Sequence, residues 1–342
     1  MRVLVAMSGG VDSSVAAALM VERGHDVEGV TLRLWGGDSD SGCCSVSDVD
    51  DARRVAQQLG IVHHVFNYAD RFTDAVVQPY VDAHAQGLTP NPCIACNRHI
   101  KFDLLVDRAD LLGFDVLVTG HHVRKVEVDG RPRLARSADQ AKDQSYVLHM
   151  IDEDVLARCE FPLGEMTKAD VRARAAELGL RTADKPESQD VCFITSVEGR
   201  ARFLGSRIPL HEAELVDTDG NTVGRTQAVE LITIGQRRGL DLGGSTVRRY
   251  AVDVDVAGRR VVVGTADELD TSNVALTDHR WVSGPVAGGV LAQVSAHGRP
   301  AAATLTPQGD LVWDEPQRKV APGQSVVFYR DDVVLGGAQA AP

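Results

Sequence analysis

The sequence predicts an α/β protein, with a Rossmann-like parallel sheet in its first part and a β-rich remainder. Short apolar runs alternate with amphipathic helical stretches up to about residue 195. A glycine- and serine-rich turn, Ser8-Gly9-Gly10-Val11-Asp12-Ser13-Ser14, directly follows the first apolar run. Beyond residue 195 helical periodicity fades into short strand-like segments separated by Asp-Gly, Gly-Gly and Ala-Gly turns.

Residues 3–7 read as a strand and 14–23 as a helix with Val15, Ala18 and Leu19 inward. Strand 27–34, helix 46–59 and strand 63–66 follow. Residues 70–86 and 97–112 look helical, and 115–119 reads as a further strand. Ligands in such sheets bind beyond the carboxyl ends of the strands, where 8–13 and 119–122 fall. In the second half, 214–217 precedes the turn Thr218-Asp219-Gly220, and 250–256 pairs with 260–264. The tail segments 290–295, 301–305, 311–313, 325–329 and 333–335 have the spacing of a small barrel or sandwich. These shifts divide the chain into 1–195, 196–268 and 269–342, and the Gly/Ser/Asp-rich stretch 36–42 reads as a mobile loop.

With 342 residues, 44% hydrophobic and 25% charged, the chain can bury two or three ordinary globular cores. No run of about 18 apolar residues is present, so no transmembrane helix is expected. The apolar start is cut short by Ser8-Gly9-Gly10, unlike a signal peptide, and a cytoplasmic protein is expected. Six cysteines are too few for a disulfide framework and suggest catalysis, metal binding or burial. The net charge of −12 offers nucleic acid no global attraction. Local patches would have to hold RNA, such as 124–142 with six basic residues against three acidic.

Between a strand and a helix, the glycines of the 8–14 turn let the backbone approach an anion, and the helix start supplies N–H groups. Ser8, Ser13 and Ser14 add hydroxyls. Asp12 is a poor phosphate contact by itself, which makes Mg2+ the natural mediator. No Lys-Ser/Thr follows, so this is not a Walker loop. The bland alternative is a glycine-rich turn with an ordinary cap. The motif resembles the pyrophosphatase loop of the N-type ATP pyrophosphatases, which adenylate an oxygen, release pyrophosphate and let a nucleophile displace AMP. The loop leaves the nucleophile open.

Cysteines bear on that choice. Thr89-Pro90-Asn91-Pro92-Cys93-Ile94-Ala95-Cys96-Asn97-Arg98 precedes a predicted helix, two prolines stiffen the approach, and Cys96 falls near the helix start. Glu187-Ser188-Gln189-Asp190-Val191-Cys192-Phe193 carries another cysteine in a polar loop. No second Cys-x-x-Cys or histidine pair completes a zinc site. Cys159, in an apolar stretch read as helical, is expected to be simply buried, and Cys43 and Cys44 have no assigned role.

Residues 6–14, 89–102, 118–124, Lys142-Asp143-Gln144-Ser145-Tyr146, 185–193 and 233–240 together resemble the bacterial tRNA-specific 2-thiouridylase family, over essentially the whole chain. The resemblance implies a pyrophosphatase-loop domain, a small β-rich central domain and a C-terminal β-barrel. It implies that Ala6, Met7, Ser8, Gly9, Gly10, Val11, Asp12 and Ser13 bind ATP, with Leu32 and Gly120 at the adenosine. Asn91, Pro92 and Cys93 would lie at the target base, Cys96 would be the nucleophile, and Cys192 would carry a persulfide. His121, Lys142, Asp143, Gln144 and Gln324 match positions that contact tRNA. A Cys96–Cys192 disulfide belongs to the family's cycle. Implied partners are a tRNA with a wobble uridine and a persulfide donor such as a cysteine desulfurase or sulfur-relay protein.

One departure opens a second mechanism. Many members have Asp where this chain has Cys93, so Cys93, Cys96 and Cys192 could ligate a 4Fe–4S cluster with one iron open. The tail segment 293–298 lacks the basic and aromatic residues expected at a tRNA contact. Arg237-Arg238 and Arg248-Arg249 either track phosphates or face solvent. Of His63-His64 and His121-His122 only His121 is a site candidate, and Tyr146 and Trp35 are expected in the core. Two rivals remain. An amide-forming ATP pyrophosphatase would share the loop but need neither Cys96 nor Cys192, and a non-catalytic RNA-binding module would not need the intact loop.

Overall fold

The computed structural model describes residues 1–34, 46–186, 191–194, 199–242 and 248–342. Trp35, Cys43, Cys44, the 36–42 stretch and Glu187-Ser188-Gln189-Asp190 lie outside the described residues. By packing, the chain divides into two compact units. One comprises Met1–Val77, Pro92–Ser196 and Asp331–Val334; the other comprises Gln78–Asn91, Val197–Arg330 and Leu335–Pro342.

In the first unit, β1 (Arg2–Ala6), β2 (Asp26–Arg33), β3 (Val62–Asn67), β4 (Val116–Thr119) and β7 (Cys159–Glu160) form a parallel sheet in the order β3-β2-β1-β4-β7. Val3, Leu4 and Val5 are fully buried, each worth about 1.5–3 kcal/mol over exposure, which makes β1 the central strand. The helices α1 (Val11–Glu22), α2 (Val46–Leu59) and α9 (Lys168–Glu177) cover one face. Small Ala16 and Ala17 let α1 lie close, beside Val171 and Ala175 of α9. From β1 the chain proceeds outward to β2 and β3, then returns to place β4 on the other side of β1. The strand ends of β1 and β4 therefore form the topological switch point, the place where such sheets bind ligands.

Two predicted helices are interrupted. Over 70–86 the chain forms α3 (Ala69–Phe72), a π-helical segment (Thr73–Val77) and α4 (Gln78–Ala85). Pro79 lacks an N–H and cannot continue an α ladder, and the wider turn directly precedes it. Over 97–112 the helix starts earlier than expected, as α5 (Pro92–Cys96), followed by a π segment (Asn97–Leu104) and α6 (Leu105–Leu111). Pro92 occupies the first helical position, where its missing N–H costs nothing. Cys159 sits in a strand, not a helix, and is fully buried; burial pushes its thiol up to about 12.

The basic stretch 124–142 forms an unexpected hairpin of β5 (Val123–Val128) and β6 (Arg131–Arg136), with Asp129 and Gly130 at positive φ in its turn. Its charges are largely neutralised within the unit: Arg124 with Asp332 at 2.8 Å, Lys125 with Glu160 at 2.6 Å, and Arg133 with Glu153 at 2.7 Å. This corrects its reading as an open basic patch. The short α7 (Ser145–Leu148) and α8 (Glu153–Ala157) complete the unit.

The second unit is mostly β, apart from α4 and α10 (Gly199–Gly205). The strands β8 (Ala213–Val216), β9 (Thr222–Thr226), β10 (Tyr250–Asp255) and β11 (Arg260–Gly264) pair in the order β10-β11-β8-β9 around Leu215, Val229, Ala251, Val261 and Val263. A second set comprises β12 (Asp270–Val274), β13 (Leu276–Trp281), β14 (Gly288–Gln293), β15 (Ala301–Leu305), β16 (Leu311–Arg318), β17 (Ser325–Arg330) and β18 (Val333–Ala340). It runs β12-β16-β15-β14-β17-β18, with β13 on β18, over a core including Trp313, Val326 and Phe328.

Candidate active site

The loop after β1 is held from both sides. Met7 N–H donates to Val30 O at 2.8 Å, and Thr31 Oγ1 donates to Met7 O at 2.7 Å. Gly9 has φ +74°, and a Cβ there would strike the Asp48 carbonyl at the start of α2. Only glycine meets both demands. Helix α1 begins at Val11, not at 14 as expected, with Gly10 as its N-cap. The first N–H groups of α1 therefore emerge inside the loop with no intrahelical acceptor. Ser13 Oγ and Ser14 Oγ donate to Gly10 O at 3.1 and 2.8 Å, and Ser8 N–H donates to Ser13 Oγ at 3.1 Å. These two hydroxyls brace the loop, which leaves the backbone as its principal anion donor. Gly120, at the end of β4, lies so near that a Cβ would stand 2.6 Å from Ser13 N. Leu32 is buried on β2.

Charged residues surround this helix start. Lys168 Nζ lies 2.7 Å from both oxygens of Asp12, and His122 Nε2 lies 3.2 Å from one of them. Burial alone would raise the Asp12 pKa, but the bonds from His122 and Lys168 outweigh it and hold the carboxyl below its usual value. Lys185 Nζ donates to Gly9 O at 3.0 Å and to Asp48 and Asp51 at 2.6 and 2.7 Å. Burial opposes its charge, and the two carboxylates outweigh burial, so its pKa is raised. Neither lysine was legible as a site residue. Lys168 opens α9 behind a Thr167–Asp170 capping box, the one local signal that marked it.

Among the thiols, Cys96 is buried while Cys93 and Cys192 are half-buried. Cys93 occupies the first turn of α5, and Cys96 stands where α5 passes into its π segment. Helix α5 packs against the π segment that follows α3. Phe193, beside Cys192, packs edge-on against Phe72 of α3 with centroids 5.7 Å apart. One structural support thus carries both Cys96 and Cys192. Among the described residues no group of three His, Cys, Asp or Glu side chains is arranged to hold a metal.

Three family models match in succession: a tRNA methyl transferase HUP domain over residues 1–196, a tRNA methyl transferase PRC-barrel domain over 201–265, and an aminomethyltransferase beta-barrel domain over 271–339. The tRNA-specific 2-thiouridylase MnmA of Herpetosiphon aurantiacus is 45% identical over 99% of this chain and 98% of its own length. The protein of the same name from Chloroflexus aurantiacus (strain ATCC 29366 / DSM 635 / J-10-fl) is 46% identical over the same shares. The chain belongs to the tRNA-specific 2-thiouridylase family. Among solved structures, a 4-thiouridine synthetase–RNA complex with bound ATP matches at 20% identity and a TM-score of 0.37, over 56% of this chain and 44% of that one. The fold of this 2-thiouridylase family member is a Rossmann-like HUP domain followed by a PRC-barrel domain and a C-terminal barrel domain, as its sequence predicted.

The remaining expected positions divide by what their side chains do. His121 Nδ1 pairs with Thr119 Oγ1 at 2.8 Å, and its ring lies 5.8 Å from that of Phe102. Burial, with the Lys101 charge, pushes its pKa down to about 3, which keeps the ring neutral. Asp143 accepts from Ser137 N–H, Ser145 N–H and Ser145 Oγ at 2.9, 3.2 and 2.7 Å, and Gln144 Oε1 accepts from His122 N–H at 2.8 Å. Both side chains organise the turn that presents half-buried Lys142. Asn91 is half-buried just before α5, and Pro92 is buried. Within the second unit, Gln324 Oε1 accepts from Ala321 N–H at 3.1 Å, while Arg237 and Arg238 are exposed. Tyr146 is buried, as expected, and the other histidine pair is structural: His63 bonds Thr31 and His64 bonds Glu28.

Proposed function

We propose that this protein is an ATP-dependent tRNA-uridine 2-sulfurtransferase acting on a wobble uridine. The observation that carries the reading is an anion-binding helix start at the switch point of the sheet, in the same unit as two cysteines mounted on one support. Phosphates of ATP meet the backbone N–H groups of 8–13 and Lys168 Nζ. Uridine O2 attacks the α-phosphorus, the bond to the bridging oxygen breaks, and pyrophosphate leaves. The terminal sulfur of a Cys192 persulfide, supplied by a donor such as a cysteine desulfurase or relay protein, attacks C2. The C2–O bond breaks and AMP departs. The Cys96 thiolate then attacks the Cys192 sulfur, releasing the 2-thiouridine and leaving a Cys96–Cys192 disulfide for an external thiol to reduce.

Magnesium fits as a phosphate-borne ion. One carboxylate plus phosphate oxygens is an ordinary set for it, and Asp12, the one acidic side chain of the loop, would have to give up an oxygen now held by Lys168 to join that set. Bound there, the ion would neutralise phosphate charge. Asn91, Pro92 and Cys93 border the base, with His121, Lys142, Gln144 and Gln324 toward the tRNA; Asp143 acts through the turn. Flipping exposes C2, which is unreachable in a stacked anticodon. No helix among the described residues is long and apolar enough to cross a membrane. We assign the protein to the cytoplasm, where thiols stay reduced.

Nucleoside mass spectrometry tests the reading, on unmodified tRNA incubated anaerobically with protein, ATP, magnesium and a persulfide donor. The expected result is 2-thiouridine that disappears without ATP. ATP cleavage to AMP with no thiolated nucleoside would overturn it. Iron and acid-labile sulfide in the anaerobic protein, with absorbance near about 400 nm, would replace the persulfide route with the cluster route.

A further inference from the structure

Helices α5 and α6 belong to one helical run but are anchored on different partners. Buried Cys96 ends α5, which packs on the π segment that follows α3, whereas α6, with Leu105 and Ala109 buried, packs on β4. The π segment Asn97–Leu104 between them takes up the mismatch, because its wider turns hold more residues than an α-helix does. Loss of one such residue would turn α5, and Cys96 with it, by roughly 100° relative to α6, the rotation of a single helical residue. Asn97 stands at the start of that segment, directly after Cys96, and is buried. Its Nδ2 donates to Val147 O at 3.1 Å. Val147 lies in the last turn of α7, a short helix whose final carbonyls have no intrahelical donor. The other end of the same amide, Oδ1, is buried and has no hydrogen-bond partner among the described residues. A stranded oxygen is destabilising, and leucine would fill nearly the same volume without one, so the bond to Val147 is what explains asparagine here. Helix α7 is fixed in turn. Val147 N–H donates to Gln144 O at 3.2 Å, Gln144 N–H to His122 O at 3.0 Å, and His122 N–H to Gln144 Oε1 at 2.8 Å.

We infer that Asn97 is a positioning residue: by holding Val147 O at the point where α5 gives way to the π segment, it fixes the rotation of α5 and so the direction in which Cys96 presents its thiol. The inference rests on Cys96 being the nucleophile, as in the proposed function. Asn97 touches neither nucleotide nor sulfur in this role; it acts through the helix that carries Cys96. Because α7 is bonded through Gln144 to His122, and His122 Nε2 lies 3.2 Å from Asp12, the same tie sets the place of Cys96 against the phosphate loop. Without the tie, the wide turns can tighten and α5 can rotate while α6 stays on β4.

The test uses the full chain, with Asn97→Leu as the main variant because it keeps the volume and removes the donor. Alkylation of Cys96 by iodoacetamide is followed from about pH 6 to 9, where thiols begin to ionise, and peptide fragmentation separates Cys96 from Cys93. In Asn97→Leu the Cys96 rate is expected to change by about threefold or more, while the Cys192 rate and the affinity for a non-hydrolysable ATP analogue stay within about twofold. The kcat for 2-thiouridine formation should fall about ten- to a hundred-fold, as for a misaimed reactive group, with KM for ATP unaltered. Asn97→Gln, which keeps an amide donor on a longer arm, should restore part of both. Should Asn97→Leu fail to fold, Asn97→Ala takes its place. An unaltered Cys96 rate or an unaltered kcat in a folded variant overturns the inference. So does an equal change at Cys96 and Cys192 with loss of analogue affinity, which marks a general loosening of the unit. Because alkylation needs no tRNA, a selective Cys96 response in a protein that forms no 2-thiouridine would count against the proposed function alone.

Discussion

The phosphate end and the thiol end of the first unit rest on different elements and face different chemical demands. Around Gly9 and Asp12 nearly every group is fixed by a partner on another element: Thr31, Asp48, Gly120, His122, Lys168 and Lys185 converge on a single turn. On the thiol side, α5, which ends at Cys96, packs on a π segment, and Phe193, beside Cys192, packs on Phe72. The difference follows from the chemistry. Pyrophosphate departure calls for fixed dipoles that need no reorganisation. In the proposed reaction sulfur must travel, by contrast, since it would arrive on one cysteine and leave by attack of another.

The largest expected effect breaks one end while sparing the other. Cys96→Ser should lower 2-thiouridine formation by on the order of a thousand-fold or more while ATP still binds, as removal of a nucleophile does. Loss of ATP binding in that variant would show that the two ends are not separable. Gly120→Ala comes next, since its Cβ would fall 2.6 Å from Ser13 N, a backbone atom of α1 that cannot swing aside. Overpacking of this kind costs about 1–3 kcal/mol, so ATP affinity should fall roughly ten- to a hundred-fold, read by isothermal titration. An affinity within twofold of the original would mean that the switch point is more pliable than it looks.

Lys168→Met should reduce kcat/KM for ATP by about tenfold or more, because the variant loses a phosphate cation and strands Asp12. Asp12→Asn with Lys168→Met should be less than additive, because each single change already breaks the pair. Strict additivity would argue that the two act on ATP separately.

A smaller effect is a pH dependence to which two histidines of the first unit contribute. His63, bonded to Thr31, has its pKa lowered to about 4 by burial and the Arg53 and His64 charges, and that of His121 lies at about 3. Both are neutral when folded, whereas the unfolded chain takes up protons below about pH 6.5. Stability should therefore be complete above pH 6.5 and fall as the pH drops toward 4. A melting temperature that stays flat from pH 7.5 to 5 would contradict this. His63→Gln should lessen the slope.

Much of the architecture was legible because it rests on short-range signals. Val3 to Val5 announced the central strand, and the glycines at 9 and 10 announced the turn. Errors arose where local patterns competed. The start of α1 was placed after the loop because Val11, Asp12 and Ser13 read as loop residues, yet they form the first helical turn. The 123–136 hairpin was taken for a basic patch, although Asp129-Gly130 between alternating residues carried its signal. The two π segments have no counterpart in a period of 3.6, and only Pro79 hinted at one.

By itself, the sequence determined the glycine turn, the two cysteine motifs and the alternation of strands and helices that opens the chain. These depend on glycine conformation, helix-start dipoles and hydrophobic periodicity, all written over a few neighbouring residues. Tertiary structure alone brought Lys168 to Asp12, Lys185 to Gly9 and Gly120 to Ser13. Those partners lie far apart along the chain, and an ion pair or a close backbone approach leaves no periodic trace in sequence. Only the folding of the parallel sheet, with β4 inserted beside β1, places them around one helix start.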